Sequence, residues 1–127
     1  MLGRTRVLIA LADPASRRAL SNLLSQHDAE PVFATTVREA RAVLAREPVA
    51  LVVCEDSLRD GSYRELLPVA RAAKGDVPVV VTSRVDNPEE YLEAMKLGAF
   101  DYVAEPFSRA ELDRIVHNAL NRALAAY

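Results

Sequence analysis

The chain has 127 residues, half of them hydrophobic and 27% charged, with a formal net charge of −2 and one cysteine. That length makes one domain, residues 1–127, able to bury roughly two-thirds of its unfolded surface. The charge excludes the strongly basic surface of a direct nucleic-acid binder, Cys54 alone excludes an internal disulfide, and no apolar run approaches the ~20 residues of a membrane span.

The opening residues Met1 to Arg6 lack the shape of a signal peptide, so a cytoplasmic setting is expected. Arg6 to Leu11 reads as a first strand. Asp13-Pro14 then starts a helix, Asp13 as N-cap and Pro14 at the first helical position. Its apolar face is expected to be Ala15, Ala19, Leu20, Leu23 and Leu24. Pro31 to Thr35 is a second strand, and Thr36-Val-Arg-Glu39 is a capping box opening a helix with Ala40, Val43 and Leu44 inward.

Val49 to Cys54 is a short continuous apolar run that turns abruptly into Glu55-Asp56 and a loop closing on Gly61. Such a run suits a strand buried on both faces of a parallel sheet. Ligands of open α/β sheets bind beyond the carboxyl ends of such strands, which places Glu55 and Asp56 where a site belongs. Ser62 to Glu65 is a second capping box, followed by Leu66, Leu67, Ala70 and Ala73 and a stop at Gly75. Val77 to Val81 is a fourth strand, ending in Thr82-Ser83-Arg84. Asn87-Pro88 caps a fourth helix that ends at Gly98, and Phe100 to Ala104 is the fifth strand. After Glu105-Pro106-Phe107, Ser108 to Glu111 is a third capping box for a last helix with Leu112, Ile115, Val116, Ala119, Leu120 and Leu124 inward. The order is (βα)₅, and right-handed crossovers make it a doubly wound α/β fold, a parallel five-stranded sheet in the flavodoxin-like order 2-1-3-4-5.

The segment Ala94-Met-Lys-Leu-Gly-Ala-Phe-Asp-Tyr-Val-Ala-Glu-Pro-Phe107 is similar to the Gly-Ala-x-Asp-Tyr-x-x-Lys-Pro-Phe signature of receiver domains in two-component response regulators, in the form found in enhancer-binding regulators. Val7-Leu-Ile, Asp13-Pro14, Leu58 to Gly61 and Val79 to Thr82 also fall at the family's positions, so the resemblance covers essentially the whole chain.

In that family two acids after the first strand and an Asp after the third hold Mg²⁺, and that Asp accepts a phosphoryl group. A Thr or Ser after the fourth strand and a Lys after the fifth contact the phosphoryl oxygens. Matched motif by motif, the resemblance puts the acid pair on Leu11 and Ala12, the acceptor on Glu55, the hydroxyl on Thr82 and the Lys on Glu105. Only Thr82 keeps the family's chemistry. Mg²⁺ demands oxygen ligands, and Leu11 and Ala12 have no side-chain oxygens. Without metal and Lys nothing neutralises the charge of a phosphoryl-transfer transition state. The expectation is a degenerate receiver, with no catalytic residue, no metal site and Mg²⁺ binding lost. Asp13 is accounted for as an N-cap, and strand alternation aims Asp56 away from Glu55.

Glu55 and Glu105 are expected to share one crevice, where two carboxylates ~5 Å apart at an effective dielectric near 20 repel by about 3 kcal/mol. Either one takes up a proton or a cation sits beside them, the candidates being Arg84 and Arg59. The sharper expectation is an ion pair of Arg84 with Glu55 or Glu105; against it stands the plainer one that both are solvated loop-end acids. The resemblance makes Thr82 and Tyr102 the switch residues, and a Thr82–Glu55 contact would let Glu55 mimic an acyl phosphate with one charge. The face of the fourth helix, fifth strand and fifth helix carries Lys96, Asp101 and Arg114, a charge set similar to one used for dimerisation in the family, and implies a weak homodimer at most. His27 and His117 read as isolated surface residues and Cys54 as a small core residue. The expected function is phosphorylation-independent signalling through contacts with other signalling proteins or an output domain. The alternatives are an orthodox Mg²⁺-dependent phospho-receiver with an unusual acceptor acid, and a small-ligand-binding module on the same fold. Flavin phosphate binding would want a Gly- and hydroxyl-rich loop after the first strand, which Leu11-Ala-Asp-Pro14 does not supply.

Overall fold

A computed structural model describes residues 5–85 and 87–125. The parallel sheet is built from β1 (Thr5–Ala10), β2 (Ala29–Ala34), β3 (Leu51–Glu55), β6 (Val79–Ser83) and β7 (Asp101–Ala104), in the order β2-β1-β3-β6-β7. The two numbers missing from that order belong to a small antiparallel hairpin, β4 (Ser57–Leu58) and β5 (Gly61–Ser62), inside the loop after β3. With the hairpin set aside, the order is the 2-1-3-4-5 expected from sequence. The helices are α1 (Pro14–Gln26), α2 (Val37–Arg46), α3 (Tyr63–Ala72), α4 (Pro88–Lys96) and α5 (Arg109–Ala125).

The strands are apolar on both faces because helices cover both. Val7, Ile9, Leu51, Val53, Val80 and Val103 pack with Leu20, Leu23 and Leu24 of α1 and Leu112, Ile115 and Val116 of α5. The alternate residues Leu8, Val52, Cys54 and Val81 pack with α2, α3 and Ala94 of α4. A fully buried Leu or Ile of this kind contributes about 1.5–3 kcal/mol of transfer free energy, so the central strands fix the register. That register sets Cys54 opposite Val81 and Glu55 opposite Thr82.

The helix starts follow the expected chemistry with local corrections. Asp13 caps α1, accepting from the Ser16 amide at 3.0 Å, and Ser62 with Glu65 forms a reciprocal capping box at α3. At α2 the Thr36 hydroxyl accepts from the Glu39 amide, but Glu39 reaches one residue further back, to the amide (3.1 Å) and hydroxyl (2.6 Å) of Thr35. At α5 only the forward half forms, Glu111 amide to Ser108 hydroxyl. Ala15 and Ala19 are exposed, contrary to expectation; the buried stripe of α1 runs through Leu20, Leu23 and Leu24, with Ser16 and Arg17 half-buried above them at the sheet's carboxyl edge. The side chain of Leu124 and residues Met1 to Arg4 lie outside the described residues. Among the described residues no helix is long and apolar enough to cross a membrane.

Candidate functional site

Every strand of the sheet except edge strand β2 sends a residue to the crevice at its carboxyl edge. β1 ends into Leu11 and Ala12. Leu11 is fully buried, its carbonyl accepting from Arg17 Nε at 2.6 Å, and Ala12 follows as an exposed turn residue. β3 ends in Glu55, whose carboxylate accepts the backbone N–H of Ala12. The residue at the acceptor position is therefore bonded to the loop that would hold the metal's acids in the family. A longer side chain than Asp makes that reach across from β3 to the β1–α1 turn.

Glu105, just past β7, arrives at the same turn from the other side. Its Oε1 accepts from Ser16 Oγ at 2.7 Å, and Ser16 Oγ is also 2.9 Å from Asp13 Oδ2. The Ser16 backbone amide, the largest cause, holds the Asp13 carboxyl below the usual carboxylate range. Of the two expected ion pairs, Arg84–Glu105 forms only at 3.9 Å, with 70% of the Arg84 side chain exposed against 10% of Glu105. Arg84–Glu55 is not formed among the described residues, and Arg59 is exposed without an ion pair among them. The carboxylates are thus separated mainly by hydrogen-bond donors of the β1–α1 segment rather than by a shared cation. The neutral donor Ser16 was missed in the sequence, although a Ser three residues after an N-cap Asp was the available signal. The Glu105–Pro106 peptide is cis.

Asp56 turns toward β6. It accepts from Ser83 Oγ at 3.0 Å and its amide donates to the Thr82 carbonyl at 2.7 Å, so it faces away from the Glu55 carboxylate as strand alternation requires. Thr82 is fully buried and its hydroxyl has no partner, so the Thr82–Glu55 contact that a phosphate mimic needs is not made. Tyr102 is 9% exposed, its hydroxyl also without a partner, and its ring meets that of Tyr91 edge-on at 6.1 Å. Cys54 lies directly beneath Glu55, buried, its thiol pushed up by desolvation and by the carboxylates of Glu55 and Asp56. It packs as a small core residue. Among the described residues no three of His, Cys, Asp and Glu stand together as metal ligands.

Two features of the surroundings were not anticipated. Asp60, in the turn between β4 and β5, accepts the Val37 amide at 2.7 Å and the Arg38 amide at 3.1 Å, capping α2 from outside it. Those amides, Val37's first, draw the Asp60 carboxyl below its usual range. His27 and His117 are not isolated: their rings lie 6.3 Å apart, His27 Nε2 meets Asp113 Oδ1 at 2.7 Å and His117 Nε2 meets Asn121 at 2.8 Å. On the face of α4, β7 and α5, Lys96 and Arg114 are exposed without ion pairs among the described residues, and Asp101 bonds the amide of Tyr102 at 2.7 Å. α4 buries only Ala94 and leaves Tyr91 and Leu92 at 41% and 56% exposure.

Comparison with known proteins accords with this architecture. Residues 7–117 match the family model of the response regulator receiver domain. The response regulator protein PilR of Pseudomonas aeruginosa is 30% identical over 119 residues, which are 94% of this chain and 27% of that protein, so the chain spans about a quarter of that relative's length. The receiver domain protein (CheY-like) of Methanospirillum hungatei superposes with a TM-score of 0.85 at 21% identity, covering 98% of this chain and all of that one. The beryllofluoride-activated NtrC4 receiver domain, solved as a dimer, superposes with a TM-score of 0.84 at 22% identity, covering 93% of this chain and 98% of that one. With the strand order, the loop-end crevice and the matched span in agreement, the chain belongs to the receiver domain family of two-component response regulators.

Proposed function

We propose that this receiver signals without phosphorylation, through contacts with other signalling proteins or an output domain, and that it is neither an enzyme nor a Mg²⁺ binder. The observation that carries the reading is the bond from the Ala12 amide to the Glu55 carboxylate. The acid at the acceptor position is occupied by the chain's own backbone, across a turn in which Leu11 is buried and neither Leu11 nor Ala12 has a side-chain oxygen. A hard octahedral cation wants one or two carboxylates and several waters, and these residues do not fit it. Glu105 adds negative charge, bonded to Ser16, where phosphoryl transfer would need positive charge. Both of these carboxylates are answered by donors of the chain's own β1–α1 segment.

The chain spans about a quarter of the length of the PilR relative, which supports an output domain outside these residues. The exposed Tyr91 and Leu92 of α4, beside Lys96, Asp101 and Arg114, support a weak homodimer through α4, β7 and α5.

The test is intact-protein mass measurement after incubation with acetyl phosphate and Mg²⁺. No added phosphoryl group is expected, whereas a stoichiometric adduct on Glu55 or Asp56 would overturn the proposal in favour of an orthodox phospho-receiver.

A further inference from the structure

At the opposite edge of the sheet, where the strands begin, lies a groove of about 1570 Å³ that none of the signalling residues discussed above touches. Its lining runs from Arg41 and Ala45 of α2, past Pro68 and Ala72 of α3 and the starts of β1, β3 and β6, to His117 and Asn121 of α5. Compact small-molecule sites hold ~300–1,000 Å³. A lining this large, crossing from one layer of helices to the other, suits a length of polypeptide better than a metabolite.

The floor is apolar. Leu44, Val49 and Val77 close it from below, and the small exposed side chains of Ala45, Pro68 and Ala72 leave its mouth wide. The rim is basic, although the chain as a whole carries a charge of −2. Arg6, Arg41, Arg46 and Lys74 line the groove against two acids, Glu47 and Glu65. Both acids are already engaged: Glu47 with Arg6 and, at 3.8 Å, with Arg46, and Glu65 with the Ser62 amide of the α3 cap. Arg41 and Lys74 have no ion-pair partner among the described residues and are exposed. A positive rim on a negative domain steers an acidic ligand to this one place.

We infer that this groove docks an acidic amphipathic helix of a partner protein, its apolar side chains entering past Ala45, Pro68 and Ala72 onto the Leu44–Val49–Val77 floor and its carboxylates on Arg41 and Lys74. Helix-in-groove binding reads such a segment through apolar residues at i, i+3, i+4 and i+7. The docking is independent of phosphorylation because it uses the end of the sheet away from Glu55.

The probe is a synthetic helical peptide with leucines on one face and glutamates on the other, labelled for fluorescence anisotropy. Saturable binding is expected, weakened about tenfold or more by Arg41→Glu/Lys74→Glu and by raising salt to ~0.5 M, and absent for the same peptide with lysine in place of glutamate. Both substituted side chains are exposed, and circular dichroism verifies that the variant folds. Failure of the acidic peptide to saturate at millimolar concentration, or undiminished binding to the variant, would overturn the inference. So would self-association of the wild-type domain in sedimentation that the same two substitutions abolish, since the occupant would then be a second copy of this chain.

Discussion

Removing the Ser16 hydroxyl tests how the crevice tolerates two carboxylates. Ser16 Oγ is 2.7 Å from Glu105 Oε1 and 2.9 Å from Asp13 Oδ2, yet a hydroxyl has one proton to give, and the shorter bond goes to Glu105. A hydrogen bond to a charged acceptor nets about 1.5–3 kcal/mol. The Glu105 side chain is only 10% exposed, so water does not replace the lost donor, and the nearest cation, Arg84 Nε, is 3.9 Å away on a side chain 70% exposed. A surface ion pair of that kind is worth about 0–1 kcal/mol. Ser16→Ala is therefore expected to destabilise the domain by about 2 kcal/mol, less the few tenths that alanine gains in a helix.

For a chain of this length the unfolding entropy is roughly 0.27 kcal/mol/K, which turns ~2 kcal/mol into a fall in Tm of about 7 °C. Arg84→Ala should cost less than about 0.5 kcal/mol, or ~2 °C. Urea denaturation and calorimetry on both variants, with a Ser16→Ala/Glu105→Ala double-mutant cycle, measure the difference. A coupling of about 1–2 kcal/mol is expected. If Ser16→Ala falls within ~0.5 kcal/mol of the parent, or Arg84→Ala costs more than Ser16→Ala, the neutral-donor account of the crevice is wrong and the cation carries it after all.

Two further predictions concern pH. Asp60, bonded to the Val37 and Arg38 amides, has its carboxyl lowered in the folded state, so its contribution is present above the unfolded carboxylate range and is lost as pH falls through the lower folded value. Asp60→Asn should therefore lose less thermal stability than the parent between neutral pH and about pH 3; an equal loss would refute the cap's role. Tyr63 is fully buried with an unpartnered hydroxyl, and desolvation raises its phenol above the usual tyrosine range. A raised folded pKa gives stability that is present below the unfolded value and disappears as pH climbs past it, so Tyr63→Phe should flatten the alkaline loss above about pH 10. At neutral pH the same variant should be neutral or slightly stabilised, because no hydrogen bond is lost; a cost above ~1 kcal/mol in urea denaturation would mean that the hydroxyl is bonded.

Much of the fold was legible because its signals are local and repeated. Continuous apolar runs demanded strands covered on both faces, and Asp13-Pro14, Ser62–Glu65 and Asn87-Pro88 announced helix starts that the structure repeats. The positions of Glu55, Thr82 and Glu105 at strand ends were likewise readable, since they follow from where each strand stops. Less legible were contacts made by short segments. The β4–β5 hairpin has only two residues per strand, too few for any alternation to show, and Asp60 caps a helix 23 residues away in sequence. In α1, Ala15 and Ala19 fit an apolar face by spacing, but a small side chain gains little from burial, and the leucines set the rotation.

The sequence by itself determined the (βα)₅ order, the parallel sheet and the absence of side-chain oxygens at Leu11 and Ala12, because each depends on residue type and spacing along the chain. Which donor answers each carboxylate was decided only by tertiary structure. Glu55 is 43 residues from the Ala12 amide and Glu105 is 89 from the Ser16 hydroxyl, and no local pattern ranks those donors above Arg84. Packing of α1 against the sheet brings that turn within reach of both acids, and an exposed arginine pays more side-chain entropy to hold a fixed contact than a backbone amide or a serine already anchored in a helix.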